Sequence, residues 1–239
     1  MPLSEWAEAT ARNLLAEPLP RRWAHSQGVA DAARALSSIA GDHADLIVAA
    51  AFLHDIGYSP AIAATGFHPL DGARHLRDAE NADDLLSRLV ANHTASATEA
   101  FERGLAADLA HEFPPPPPDL ADALTYCDIT TGPDGQRMSA DDRLAEILNR
   151  YEPEDPVHRA ITASAPALTA AAARVTRWLS GHESALGPRL PTAASAQIRL
   201  DALAMKRAGR TSQAAKPDGQ ASRPTDRRKS AAISSLTVW

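Results

Sequence analysis

The chain has 239 residues, 44% hydrophobic, 23% charged and only 5% aromatic, which describes a soluble globular protein of one domain of roughly 150–200 residues plus an extension. Abundant alanine and few aromatics favour helix over sheet. The lone Cys127 excludes an internal disulfide and a thiolate metal cluster. With no secretory leader and no run near the roughly 20 apolar residues of a membrane span, a cytoplasmic protein with no membrane partner is expected.

Taken in order, residues 3–16 read as a helix, with Ser4 as N-cap and Leu3, Trp6, Leu14 and Leu15 as its apolar positions. Pro18 and Pro20 end it. A second helix runs from Arg21 to about Ile39 and carries His25 in its first turns, with Gly28 three residues on, where a missing side chain lets another helix approach. Gly41-Asp42 breaks the chain. The apolar run Leu46-Ile47-Val48-Ala49-Ala50-Ala51-Phe52-Leu53 then predicts a buried helix, closed by His54-Asp55-Ile56-Gly57. Gly57 and Pro60 mark a loop, and a short helix is expected over Ile62 and Ala63, stopped at Gly66. The next helix opens with His68 at the N-cap and Pro69 at the favoured first position. A further helix spans about Asn81 to Asn92, with Leu85, Leu86, Leu89 and Val90 inward and His93 at its end.

Residues 98–112 read as helical. The five prolines Pro114 to Pro118 form a stiff loop within one domain rather than a proline-motif ligand. Asp119 caps the following helix, which carries Cys127 and Asp128 near its end. Thr130 to Gly135 is a turn, Ser139-Ala140-Asp141-Asp142 begins a helix through about Arg150, and Pro156 and Pro166 start the last two helices, the second reaching about Ser180. The expected architecture is all-α: a helical domain over residues 1–186 with its core at about 20–180, then an extension, 187–239, largely disordered from about residue 208. All three lysines lie in that extension. Residues 205–239 hold eight Lys/Arg against Asp218 and Asp226, a balance of +6; with −6 for the whole chain, residues 1–204 carry −12. An acidic body disfavours nucleic acid as its partner, whereas the basic tail, with Arg227-Arg228-Lys229, could touch nucleic acid or anionic lipid, a solubilising segment being the preferred reading.

A buried helix ending in adjacent imidazole and carboxylate groups needs a partner for its charge, because an unpaired buried charge costs several kcal/mol. A divalent cation suits both groups. The other polar groups that end or interrupt apolar helices are His25, His68, His93 and Asp128, so the ordered set is H-x28-HD-x12-H-x24-H-x34-D. Four imidazoles and two carboxylates suit Fe, Mn, Co, Ni or Zn, and the carboxylates extend the range toward harder ions such as Mg. His43, His111, His158 and His182 lie near breaks with no partner pattern and read as ordinary histidines.

This set, centred on Leu53-His54-Asp55-Ile56-Gly57, resembles the HD-domain superfamily of metal-dependent phosphohydrolases over roughly residues 20–180. The minimal signature H…HD…D is matched by His25, His54-Asp55 and Asp128. His68, in His-Pro-Leu-Asp-Gly-Ala, and His93, in Asn-His-Thr, resemble the subgroup that binds two metals, which includes diadenosine tetraphosphate hydrolases, HD-GYP cyclic-di-GMP phosphodiesterases and a few di-iron oxygenases. The resemblance implies a helical bundle and two divalent ions. One is held by His25, His54, Asp55 and Asp128; the second is held by His68 and His93 with Asp55 as a catalytic bridge.

It also implies hydrolysis of a phosphate ester or anhydride of a small molecule, a nucleotide being expected, by a metal-activated hydroxide. A di-iron oxygenase and a non-catalytic metal-bound sensor are the alternatives. Two departures stand out. The lysine that many members carry after HD-x-G is Tyr58 here, and the Gly-Tyr-Pro motif of the cyclic-di-GMP enzymes is absent. Phosphate contacts then fall to Arg74, Arg103, Arg137 or Arg143, or to backbone amides. Asp71 and His75, three and seven residues after His68, are candidates for supporting contacts.

Overall fold

The computed structural model describes residues 1–183. The expected boundary at 186, the extension and its basic tail lie outside the described residues. Within them the chain is helical, without a strand. Its helices are α1 (Leu3–Leu15), α2 (Pro20–Ala35), α3 (Ser37–Ala40), α4 (Ala44–Leu53), α5 (His68–Asp78), α6 (Asp84–Ala91), α7 (Ser96–Glu102), α8 (Ala106–Glu112), α9 (Pro118–Ile129), α10 (Ala140–Arg150) and α11 (Pro156–Glu183), with 3-10 turns at Gly41–His43 and Ile56–Tyr58. No single helix among them is long and apolar enough to cross a membrane.

Helix α4 is the axis of the bundle. Beyond Asp45 in its first turn it is apolar around its whole circumference, as expected of a buried helix, and every residue from Ile47 to Leu53 is buried. It packs against α1, α2, α6 and α9. Ala49, Ala50 and Ala51 keep its sides narrow, so four helices approach it at once. The main core gathers Leu15, Leu36, Ile39, Phe52, Leu70, Leu86, Phe113 and Leu124 around it. A second apolar cluster, with Ile129, Leu144, Ile161 and Leu168, joins the end of α9 to α10 and α11.

Several boundaries differ from the sequence expectation. Pro2, not Ser4, is the N-cap of α1 and offers no side-chain cap; instead Asp45 of α4 accepts from the amides of Leu3 and Ser4 and from the Ser4 hydroxyl. The second helix ends at Ala35, and Leu36 turns the chain into the short α3. Ile62 and Ala63 form a turn rather than a helix, their amides both bonded to the Ser59 carbonyl. His68 is the first residue of α5 and Phe67 its N-cap. Helix α6 starts late, at Asp84, because Asp83 caps it by accepting from Leu85 N. Residues 98–112 split into α7 and α8 at Gly104, whose φ is +72°.

Pro118, and not Asp119, opens α9. The preceding prolines belong to the domain: the carbonyls of Pro114 and Pro115 accept from Arg88. The largest correction is at Pro166. The two expected helices are one, α11, with Pro166 inside it. Its buried residues Ile161, Leu168, Ala172 and Val175 keep one face against α7 and α9 across the proline. Packing of a continuous face outweighs the loss of one backbone bond, a penalty of about 3 kcal/mol.

Candidate metal centre

The ligand candidates sit where helices end. His25 lies on the inner face of α2. His54 is the C-cap of α4, and Asp55 follows it. His68 opens α5, His93 follows α6, and Asp128 is in the last turn of α9. Helix C-termini leave carbonyls without intrahelical partners, and two of the histidines use them in the same way. His54 Nδ1 lies 2.7 Å from the Ala51 carbonyl, and His93 Nδ1 lies 2.7 Å from the Val90 carbonyl, each three residues back. His25 Nδ1 lies 3.0 Å from the Gly132 carbonyl. A carbonyl only accepts, so each Nδ1 carries the proton and each Nε2 presents a lone pair inward.

The four rings form one chain in space. Centroids are 5.3 Å apart for His25 and His54, 5.2 Å for His54 and His93, and 5.1 Å for His93 and His68. Their donor atoms, with the carboxylates, fall into two groups: His25, His54 and Asp128, and Asp55, His68 and His93. Asp55 stands between them. Its Oδ2 is 3.2 Å from His54 Nε2 and its Oδ1 is 3.3 Å from His68 Nε2.

The donors fit a cation. His25 Nε2, with its lone pair, is 3.1 Å from the anionic Oδ1 of Asp128, a contact that is repulsive unless a cation or a proton lies between them. His54 Nε2 is buried without a hydrogen-bond partner among the described residues. Burial pushes the imidazoles of His25, His68 and His93 down, and for His68 and His93 a neighbouring imidazole adds to the effect, so all three favour the neutral, ligating form. For His54, burial is outweighed by Asp55 and the net direction is up. Burial likewise pushes the two carboxyls up, but Arg22 and His54 hold Asp55, and His25 and His54 hold Asp128, well below the usual carboxylate range. Ionised carboxylates beside three imidazoles that favour the neutral form make a divalent-cation site of the N/O type.

Three surrounding residues were not foreseen from sequence. Arg22, one helical turn before His25, is only 3% exposed. Its Nη1 donates to Asp55 Oδ2, and its guanidinium lies 3.7 Å over the ring of Tyr58. Tyr58 in turn stacks on His68 at 3.9 Å. The i, i+3 spacing of Arg22 and His25 was the available signal. Thr94 is the third. It sits at φ +47°, a backbone region that typically costs a β-branched residue about 1–3 kcal/mol, and its hydroxyl donates to Asp128 Oδ2.

The expected phosphate contacts are placed elsewhere or have partners. Arg74 pairs through two nitrogens with Glu112, and Arg103 pairs with Glu99. Arg137 donates to Thr130 Oγ1 and the Tyr126 hydroxyl. Arg143 is buried, donates to Glu146, and its charge helps to hold Asp128 ionised. Asp71 supports the loop before His68, accepting from the amides of Ala64 and Thr65 and from the Thr65 hydroxyl, while His75 faces Glu80 at 3.5 Å.

An all-α bundle with a histidine–aspartate centre at its helix ends is the class that fold and site define. A family model, HD domain, matches residues 22–154, from Arg22 to just beyond α10. The chain belongs to the HD-domain family, whose members are generally metal-dependent phosphohydrolases. No curated protein and no solved structure matches it.

Proposed function

We propose that the centre binds two divalent cations and that the protein hydrolyses a phosphate ester or anhydride of a small molecule, a nucleotide being the substrate class. The observation that carries this reading is the position of Asp55, with one carboxylate oxygen toward each histidine group. A carboxylate placed so is suited to bridging two ions, and makes Asp55 the catalytic residue of the centre. His25, His54 and Asp128 would hold the first ion, His68 and His93 the second.

When bound, the cations supply Lewis acidity and lower the pKa of water toward neutrality. The protein supplies the rest. Backbone carbonyls orient Nε2 of His25, His54 and His93, and Tyr58 fixes the plane of His68. Arg22 places a buried positive charge beside Asp55, which raises the attraction of the centre for a phosphate dianion. Arg143 and Arg137, near the Asp128 side, are the stronger of the arginine candidates for a substrate contact. Arg74 would have to leave Glu112 first.

The test is elemental analysis of the purified full-length protein together with a phosphate-release screen over nucleotides, run with and without O2. About two ions per chain and O2-independent phosphate release are expected. About two irons with no phosphate release would replace this reading by an oxygenase. One ion or none would remove His68 and His93 from the ligand set.

A further inference from the structure

The geometry points to Thr94 as a positioning residue that ties the two ligand groups together, an inference that rests on the metal reading above. Three observations converge on it. Its backbone is left-handed, at φ +47°, although it is neither glycine nor asparagine and is branched at Cβ. Among the described residues one other non-glycine, Asn81, has a positive φ, and asparagine tolerates that region better than threonine does. Strain of this kind persists where surrounding contacts over-determine it, and such sites cluster at functional centres.

The second observation is where the strain leads. The sharp corner after α6 turns His93 and Thr94 in different directions. His93 projects into the group with Asp55 and His68. Thr94 projects to Asp128, a member of the other group, and donates to its Oδ2. Two consecutive residues thus serve two different groups.

The third is the division of labour within Asp128. Its Oδ1 lies 3.1 Å from His25 Nε2, within the ligand group. Its Oδ2 is held by the Thr94 hydroxyl. The hydroxyl therefore sets the rotation of the carboxylate and reserves Oδ1 as the inward donor atom. The corner itself is fastened on its far side: the Ser96 amide and hydroxyl both donate to the His93 carbonyl, and the Asn92 amide side chain donates to the Arg88 and Phe113 carbonyls.

The test compares Thr94→Val, Thr94→Ser and the wild type as full chains. Mn2+ is titrated into the metal-free proteins by calorimetry, with metal-free Tm as a second readout. Thr94→Val keeps the shape and the branched Cβ but removes the donor; Thr94→Ser keeps the donor. Expected for Thr94→Val is a loss of about tenfold to a hundredfold in affinity for one equivalent of Mn2+, the size usual for an outer hydrogen-bond partner of a ligand, with the other equivalent much less affected. Thr94→Ser retains wild-type affinity within a fewfold. Thr94→Gly, which relieves the backbone strain and lacks the hydroxyl, raises the metal-free Tm yet binds as weakly as Thr94→Val. Wild-type affinity in Thr94→Val, or equal losses in Thr94→Val and Thr94→Ser, would overturn the role. A wild type that binds no Mn2+ and purifies without metal would instead overturn the metal reading on which it rests.

Discussion

Arg22 Nη1 donates to Oδ2 of Asp55, and both side chains are 4% exposed. The pair joins the first turn of α2 to the end of α4 in the middle of the centre, so a positive charge of the chain itself faces the carboxylate that a cation would bridge. Arg22→Met leaves the buried Asp55 charge without this partner, a loss of about 3–5 kcal/mol for the metal-free protein. Tm should fall by roughly 10 °C for a domain of this size, and most of that fall should be recovered at saturating Mn2+, since the ion takes over as counter-charge. Thermal scans with and without Mn2+ check this. An undiminished deficit in Mn2+ would mean that Arg22 acts through its packing on Tyr58 alone.

The two groups predict a stepwise loss of metal. Asp55→Ala removes the oxygen facing each group and should leave no tightly held ion and no phosphate release. His93→Ala touches one group and should retain about one ion per chain. Elemental analysis after desalting distinguishes these, and equal loss in both variants would argue for a single shared site. Chelation of the wild type should lower Tm, because an ion that binds the folded state alone stabilises it by mass action.

Gly57 is required by contact rather than by its own dihedrals. A Cβ there would stand 1.9 Å from the His68 carbonyl oxygen and 2.7 Å from Gly72 N, backbone atoms that move only with the start of α5. Gly57→Ala is expected to lower stability by about 3 kcal/mol and to displace His68. Gly28 is similar: its Cβ would meet the Gly135 carbonyl oxygen at 2.3 Å, in the loop whose Gly132 carbonyl orients His25. Urea unfolding and metal content of the two alanine variants measure both effects. An unchanged midpoint in Gly57→Ala would mean that the loop has slack.

The cap on α1 predicts a pH dependence. Partial burial pushes the Asp45 carboxyl up, but the bonds from the Ser4 hydroxyl and the Leu3 and Ser4 amides prevail and hold it below its ordinary value. A carboxyl with a depressed folded pKa contributes stability above its unfolded pKa, about 3.9, and loses it as pH falls through the folded value. Asp45→Ala should therefore cost about 1 kcal/mol at pH 7, and the difference from wild type should shrink as pH falls below the unfolded value, about 3.9. Tm of both proteins between pH 7 and pH 3 checks the sign; a gap that widens on acidification would contradict it.

Much of this was legible from the residues in order. The run from Leu46 to Leu53 has no polar face, so it had to be the buried axis, and His54-Asp55 at its end had to be functional or paired. Local rules also located the cap Ser139, whereas they started α6 at about Asn81, ahead of its cap Asp83. They failed at Pro166, where a local rule predicts a helix start and a long packed face carries α11 through. They failed again at Ser4, where the cap comes from a residue 41 positions away.

The residues in order carry the identity of the six candidate ligands and the helical periodicity that puts each at a helix end or on an inner face, and the family resemblance adds an expected grouping. The distances within the groups, the direction of each Asp55 oxygen, and the partners Arg22, Tyr58 and Thr94 come from the packed fold alone. Periodicity is a property of neighbours three or four residues apart. The pairing of Arg22 with Asp55, or of Thr94 with Asp128, spans 33 and 34 residues; it depends on how α2, α4, α6 and α9 pack around a common core, and that packing is set by the whole set of contacts at once.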